Sequence, residues 1–407
     1  MILSAIIKWL VDFKVIMIFK FLTSGESHGQ CLNAIIEGVP AGVTIDENFI
    51  NNELARRQVG YGRGGRMQIE KDTVRILSGV RHGKSLGSPI SLEVRNKDWD
   101  NWVIPMNTSA VDNTPENAEI IDAKKIVNVR PGHADFAGAL KYNHSDVRNI
   151  LERSSARETT MRVAVGAIAK CILKEFGIDG VSVVTQIGNA KADISSNLFS
   201  LKDEIESSDL RTVSSIYKQM KEEIDKAKEA GDTLGGNFKV VFQNVPVGLG
   251  SHVHWDRKLD GLIAQAVMSI QAVKSVEIGL GSDVAHTLGS KTHDEIFVEN
   301  GKYIRKTNNA GGIESGISNG EEIVVSASMK AIPTMKKPLN SIAIDKKEQV
   351  QAHFERSDTC AVSACAVVAE SMIAIILADA MLEKFSHDSI DEMKVNYSNY
   401  LSRIAER

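Results

Sequence analysis

The sequence predicts a layered α/β fold with polar loops gathered at one end of the layers. Short β-branched stretches such as Val181–Ile187 and Ile323–Ser328 alternate with long apolar runs such as Val163–Phe176 and Ala361–Met381. These read as strands alternating with buried helices. Gly-rich polar segments join them repeatedly. The 407 residues are 43% hydrophobic but only 5% aromatic, with 31 glycines, which favours close helix–sheet packing over an aromatic core. No internal repeat and no low-complexity tract stands out.

The bulk charge narrows the function. A formal net charge of −4 beside a concentrated basic cluster suits a small anion better than nucleic acid, whose binding needs many phosphate contacts. The four cysteines (Cys31, Cys171, Cys360 and Cys365) lack metal-ligand spacing and sit beside small apolar residues. They read as buried residues of a reducing compartment, so a cytoplasmic location is expected.

Residues 1–16 are apolar but broken by Lys8, Asp12 and Lys14, with no basic n-region and no cleavage site. An amphipathic surface helix is one reading. An extension ahead of a catalytic domain spanning 17–407 is the preferred one. Phe19–Thr23 then forms a strand running into Ser24-Gly25-Glu26-Ser27-His28-Gly29, a polar turn suited to an imidazole. Leu32–Val39 is a strand, and a helix from Asp46 to about Arg57 has acids in its first turn. That helix delivers Arg56 and Arg57 to Gln58-Val59-Gly60-Tyr61-Gly62-Arg63-Gly64-Gly65-Arg66. Arginine forks fit phosphate and carboxylate oxygens, and glycine lets backbone approach a ligand. Strands follow at Ile69–Glu70, Val74–Leu77 and Ile90–Val94. The stretch from Gly79 to Ser85 resembles a phosphate-binding loop, but Ser78 stands where that motif needs glycine.

Residues 95–128 read as a long polar surface loop. Arg130-Pro131-Gly132-His133-Ala134-Asp135 adds a second Arg/His pair in a turn. Arg153-Ser154-Ser155-Ala156-Arg157 heads the buried helix Val163–Phe176, a natural cradle for a polar ligand. The charged 189–230 region reads as an excursion from the core, with a solvated amphipathic helix over Ser208–Ala230 that carries Ile216, Met220 and Ile224 on one stripe. Phe238–Phe242 is a strand and Leu259–Val273 a further helix. His252 and His254 lack a third metal ligand nearby, so a structural role is favoured and no metal is expected. Asn308 to Gly316 is a second Gly-rich loop. Arg356-Ser357-Asp358 precedes the long apolar helix.

Together the loops supply many cations, two imidazoles and one carboxylate. This set fits a small, multiply anionic substrate and proton transfers near neutral pH. No nucleophilic serine or cysteine, dinucleotide fingerprint or metal cage appears. A flavin oxidoreductase and a nucleic-acid module are the competing readings.

The segments SGESHG (24–29), RRQVGYGRGGRM (to 67), RPGHAD (130–135), ERSSARET (152–159), NNAGG (308–312) and ERSDT (355–359) resemble, in order and spacing, the chorismate synthase family. The resemblance implies an α+β fold: one large domain built as a β-α-β-α sandwich, with Gly-rich active-site loops. It implies a lyase that converts 5-enolpyruvylshikimate 3-phosphate to chorismate and phosphate by anti-1,4-elimination, the last common step of aromatic amino acid biosynthesis. It also implies a homotetramer that needs reduced FMN without net redox change.

By the same resemblance, His28, His133 and Asp358 are catalytic. Arg57, Arg63, Arg66, Arg130 and Arg356 hold the substrate, and Arg157 serves either ligand. FMN lies against Arg153, Ser154, Ser155, Gln271, Ala272, Ser315, Lys330, Ala331, Ile332, Pro333, Thr334 and Arg356. Family members differ in whether NADPH reduces the flavin on the enzyme itself. Without a separate reductase domain in sight, the monofunctional type is expected. No membrane and no nucleic acid are expected as partners.

Overall fold

The computed structural model describes residues 17–64, 71–194, 197–355, 357–385 and 388–407. The expected extension 1–16, the strand at Ile69–Glu70, and two site arginines, Arg66 and Arg356, lie outside the described residues.

Two antiparallel sheets sandwich a layer of helices. In the first, β1 (Lys20–Ser24), β2 (Cys31–Glu37), β3 (Val74–Ser78) and β4 (Ile90–Arg95) lie in the order β1-β2-β4-β3. Strand alternation sorts its two faces. Leu32, Ala34 and Ile36 of β2, with Ile90, Leu92 and Val94 of β4, are buried on the inner face. Leu22 and Ile35 stay exposed on the outer one. The second sheet orders its strands β8-β9-β7-β5-β6: β5 (Asp179–Ile187), β6 (Ala190–Lys191), β7 (Gly236–Gln243), β8 (Val273–Ile278) and β9 (Ile323–Met329).

Four helices pack between the sheets: α1 (Glu47–Gln58), α2 (Thr159–Lys174), α3 (Leu259–Met268) and α4 (Val362–Phe385). Asp46 caps α1, its carboxylate accepting from Asn48 N at 2.9 Å. Helices α2 and α4 meet closely because Gly166 faces Ser371. A Cβ on Gly166 would lie 2.4 Å from Ser371 Cβ. Helix α4 is long and apolar enough to span a bilayer, yet its apolar stretch is wholly buried in the protein. It carries Asp379, which accepts from the backbone N–H of Ile18 (2.7 Å) and Phe19 (2.9 Å) and so pins the chain entering β1.

Several expectations need correction. The 189–230 region is the outer layer of the sandwich. Leu198, Ile205 and Val213 cover Val181, Val183 and Val241 on the outer face of the second sheet. Its long helix spans Ser214–Glu229 and buries Met220 and Ile224 in the main core. The apolar stripe was there to be read, but the surrounding charge masked its burial. Helix α3 stops at Met268, and Val273 opens a strand, because apolar runs of this length do not separate helix from buried strand. The 95–128 segment is not all loop: Thr114 caps a helix over Pro115–Asp122, with proline in its first turn.

Candidate active site

Segment 355–358 ties together three stretches: the arginine loop after α1, the helix over Arg148–Ser154 and the 330–334 stretch. Glu355 Oε1 meets Arg148 Nη2 at 3.2 Å. Ser357 Oγ donates to Thr334 O at 2.8 Å. Asp358 Oδ2 pairs with Arg63 Nε at 2.8 Å, and its Oδ1 accepts from Gly64 N at 2.6 Å.

The first arm is cationic. Arg57, at the end of α1, is buried and donates from Nε to Thr159 Oγ1 (2.9 Å) and from Nη2 to Ala156 O (3.0 Å). Its Nη1 lies 3.6 Å from Asp72 Oδ2 and is buried without a hydrogen-bond partner among the described residues. Burial pulls the Arg57 pKa down to about 10. Asp72 opposes that pull, while Arg157 and Arg63 add to it. Three guanidiniums thus crowd two carboxylates, Asp72 and Asp358, which leaves an excess of positive charge for an anion to neutralise. Gly62 makes the loop possible: its φ is +83°, and a Cβ there would lie 2.8 Å from Ile224 Cγ2.

Two placements differ from the expected roles. Arg157 turns inward, with Nη1 on Asp72 Oδ1 at 2.6 Å and Nε on Asn96 Oδ1 at 3.1 Å, so it shapes the cluster instead of facing a ligand. Arg56 turns away to Glu53, Glu206 and Glu370, beside a separate cavity of about 550 Å³.

The second arm is the turn at 130–135. Arg130 Nε donates to Asp135 Oδ2 at 2.7 Å, Nη2 to Asp135 Oδ1 at 3.0 Å and Nη1 to Thr334 Oγ1 at 3.1 Å. Arg130 is therefore engaged in building the turn, not left as a simple substrate clamp. His133 Nδ1 lies 2.6 Å from Asp135 Oδ1. Burial pushes the Asp135 carboxyl up, but hydrogen bonds from His133 and Arg130 overcome it and hold the pKa far below the usual range. Asp135 is an anion at any working pH. The anionic Asp135 favours the tautomer with Nδ1–H toward it, against Arg130 Nη2, which also lies 3.0 Å from Nδ1, and that tautomer assigns proton exchange to Nε2. The turn borders a cavity of about 440 Å³ that His133 helps to line.

The third arm holds His28, whose Nδ1 lies 2.8 Å from Glu152 Oε1 and whose ring stacks on Trp102 at 4.1 Å. Nearby, Arg153 donates to Gly25 O (3.1 Å) and Thr23 O (2.8 Å), Ser155 Oγ to Ser27 Oγ (3.3 Å), and Ser154 Oγ back to its own helix at Ile150 O.

The residues expected at the flavin are partly assembled. Lys330 N donates to Ala272 O at 2.9 Å, and its Nζ donates to Gly132 O, which joins 271–272 and 330–334 to the His133 turn. Gln271 Oε1 is buried without a partner among the described residues. Ser315 stands apart. Its neighbour Gly316 accepts from Leu259 N at the start of α3, whereas Gln271 follows the end of that ten-residue helix, about 15 Å along. His254 pairs with Asp256, and no cluster able to hold a metal occurs among the described residues.

Sequence reasoning missed four supporting residues. Asp135 and Glu152 lay inside quoted motifs, and their spacing to His133 and Arg148 was a usable signal. Trp102 and Asp72 carried none.

A family model described as chorismate synthase matches residues 19–382. The chorismate synthase of Geotalea uraniireducens (strain Rf4) is 56% identical over 393 residues, covering 94% of this chain and 98% of that protein. The chorismate synthase of Aquifex aeolicus (strain VF5) is 51% identical over 396 residues, covering 95% and 98%. A crystal structure of chorismate synthase matches the fold with a TM-score of 0.76 at 43% identity, covering 96% of this chain and 99% of that one.

Proposed function

This chain belongs to the chorismate synthase family and converts 5-enolpyruvylshikimate 3-phosphate to chorismate and phosphate, and from that premise we propose how its own residues serve the reaction. Family members work with reduced flavin, and this chain takes reduced FMN. The residues at its expected place fit such a group. Gln271 Oε1 is buried with no donor among the described residues, which an imide N–H of the ring would satisfy, and Arg153 and Lys330 suit an anionic tail. Held by these residues, a reduced flavin would supply electron density and a proton acceptor for the elimination, with no net redox change.

The observation that carries the assignment is the convergence on segment 355–358. Arg57 and Arg63 bind the phosphate and carboxylates of the substrate. Their excess positive charge offsets the negative charge that gathers on the leaving phosphate. Arg66 and Arg356 join them. His133 gives a proton from Nε2 to the departing phosphate, with Asp135 steadying the imidazolium. His28 holds or donates a proton at the flavin edge. Asp358 fixes the Arg63–Gly64 loop beside both ligands.

The catalytic domain is 17–407, entered at the Asp379 anchor, and a chain beginning at Met17 keeps full activity. The protein works in the cytoplasm as a homotetramer. The exposed Leu22 and Ile35 on the outer face of the first sheet are suited to a second copy. Its flavin is reduced elsewhere, so steady FMN reduction by NADPH with the purified protein alone would contradict the monofunctional reading.

Anaerobic calorimetry with reduced FMN tests the binding assignment. Arg57→Met weakens substrate binding by about a hundredfold, in line with the loss of a charge-assisted contact. Unchanged affinity would remove Arg57 from the substrate site.

A further inference from the structure

Glu152 has a carboxylate that is 2% exposed and receives three donors. Its Oε2 accepts from His28 N at 2.7 Å, while its Oε1 meets His28 Nδ1 at 2.8 Å and Arg148 Nη1 at 3.1 Å. The Glu152 backbone carbonyl also accepts from Ser27 N at 3.0 Å. One residue therefore fixes both the turn that carries His28 and the tilt of its ring. Burial pushes the Glu152 carboxyl up, but the His28 contacts and Arg148 bring it below the usual range.

The other face of the ring is set by Trp102, stacked at 4.1 Å with 28° between planes. Two cations lie over Trp102 in turn: Arg148 at 4.8 Å and Lys124 Nζ at 4.5 Å. Arg148 thus touches Glu152, Trp102 and Glu355, linking the imidazole to the segment that joins the arms.

We infer that Glu152 is a positioning residue for His28, with Trp102 as the stacking wall that completes the brace. The carboxylate holds His28 in the Nδ1–H form and so assigns proton exchange to Nε2. This inference rests on the proposed role of His28.

The test uses the full chain labelled with 15N-histidine. His28→Ala assigns the ring signals. In the wild type, His28 shows a single Nδ1–H tautomer. Glu152→Gln keeps the volume, but one amide oxygen cannot receive all three donors, so the tautomers mix. Turnover under reduced flavin falls about 10- to 1,000-fold with the substrate KM unchanged. The double variant His28→Ala/Glu152→Gln loses no more than His28→Ala alone. An unchanged tautomer and unchanged turnover in Glu152→Gln overturn the inference, as does a double variant whose loss is the product of the single losses. If Glu152→Gln does not fold, Trp102→Leu decides: it lowers kcat and Trp102→Phe restores it, and wild-type kcat in Trp102→Leu overturns the brace. Full turnover in His28→Ala would instead remove the proposed role of His28 itself.

Discussion

Asp358 holds Arg63 and Gly64 with one carboxylate, Oδ2 at 2.8 Å from Arg63 Nε and Oδ1 accepting from Gly64 N at 2.6 Å. The contact spans most of the chain and closes the arginine loop onto the start of α4. Resemblance assigns Asp358 to the flavin; the geometry gives it the loop as well. Asp358→Ala should therefore raise the substrate KM and lower kcat together, each by about tenfold to a hundredfold, because a small misplacement of a charge clamp is costly. Steady-state kinetics with excess reduced FMN checks this. A fall in kcat with unchanged KM would leave only a role at the flavin.

His133 and Asp135 should separate chemistry from folding. His133→Ala should lose about 10²–10⁴-fold in turnover while its Tm stays near the wild-type value, since Asp135 keeps its pairing with Arg130 when the half-buried ring is removed. Asp135→Asn should lose turnover and also melt earlier, because Arg130 would keep a buried charge without its carboxylate. Equal Tm in both variants would contradict the Arg130–Asp135 pairing as a structural tie.

The approach of α2 to α4 should be intolerant of one methyl group. A Cβ on Gly166 would lie 2.4 Å from Ser371 Cβ, so Gly166→Ala must push the helices apart at a cost of about 1–3 kcal/mol. Differential scanning calorimetry should show a lower Tm, partly recovered by Ser371→Gly. A Tm equal to the wild type would mean that the helices are not in close contact there.

Acid should weaken the fold through Glu206. Burial raises its pKa, but hydrogen bonds from Arg211 and Arg56 outweigh that and bring it from 4.5 to about 2. A carboxyl whose pKa is lower folded than unfolded stabilises the fold fully above about pH 4.5, and this contribution fades as pH falls toward 2. Glu206→Gln should thus melt below the wild type at pH 7, and the gap should narrow as pH falls through that window. A gap that stays constant with pH would contradict the charged pairing.

The core was legible because its elements carry strong periodicity or long apolar runs: β2, β5, β9, α2 and α4 fall where the pattern puts them. The cover layer was half legible: the stripe of Ile216, Met220 and Ile224 on the 214–229 helix could be read, but the lysines and glutamates around it pointed to a solvated helix and not to a buried one. Turns around His28 and His133 were visible as motifs, since glycine and proline punctuate them. The groups that orient those histidines were harder to see. Trp102 reaches His28 from 74 positions away in a segment read as loop, and Asp72 gathers Arg57 and Arg157 with no local signal. Arg157 shows the same limit: an arginine beside a motif looks like a ligand clamp until its carboxylate partner is seen.

The most direct test of the account is anaerobic turnover of the purified protein with 5-enolpyruvylshikimate 3-phosphate and FMN, with and without dithionite, following phosphate and chorismate together. The account predicts equal amounts of both products, formed only when the flavin is reduced, with the reduced flavin recovered unchanged. Products formed with oxidised FMN, or flavin consumed in step with product, would contradict it.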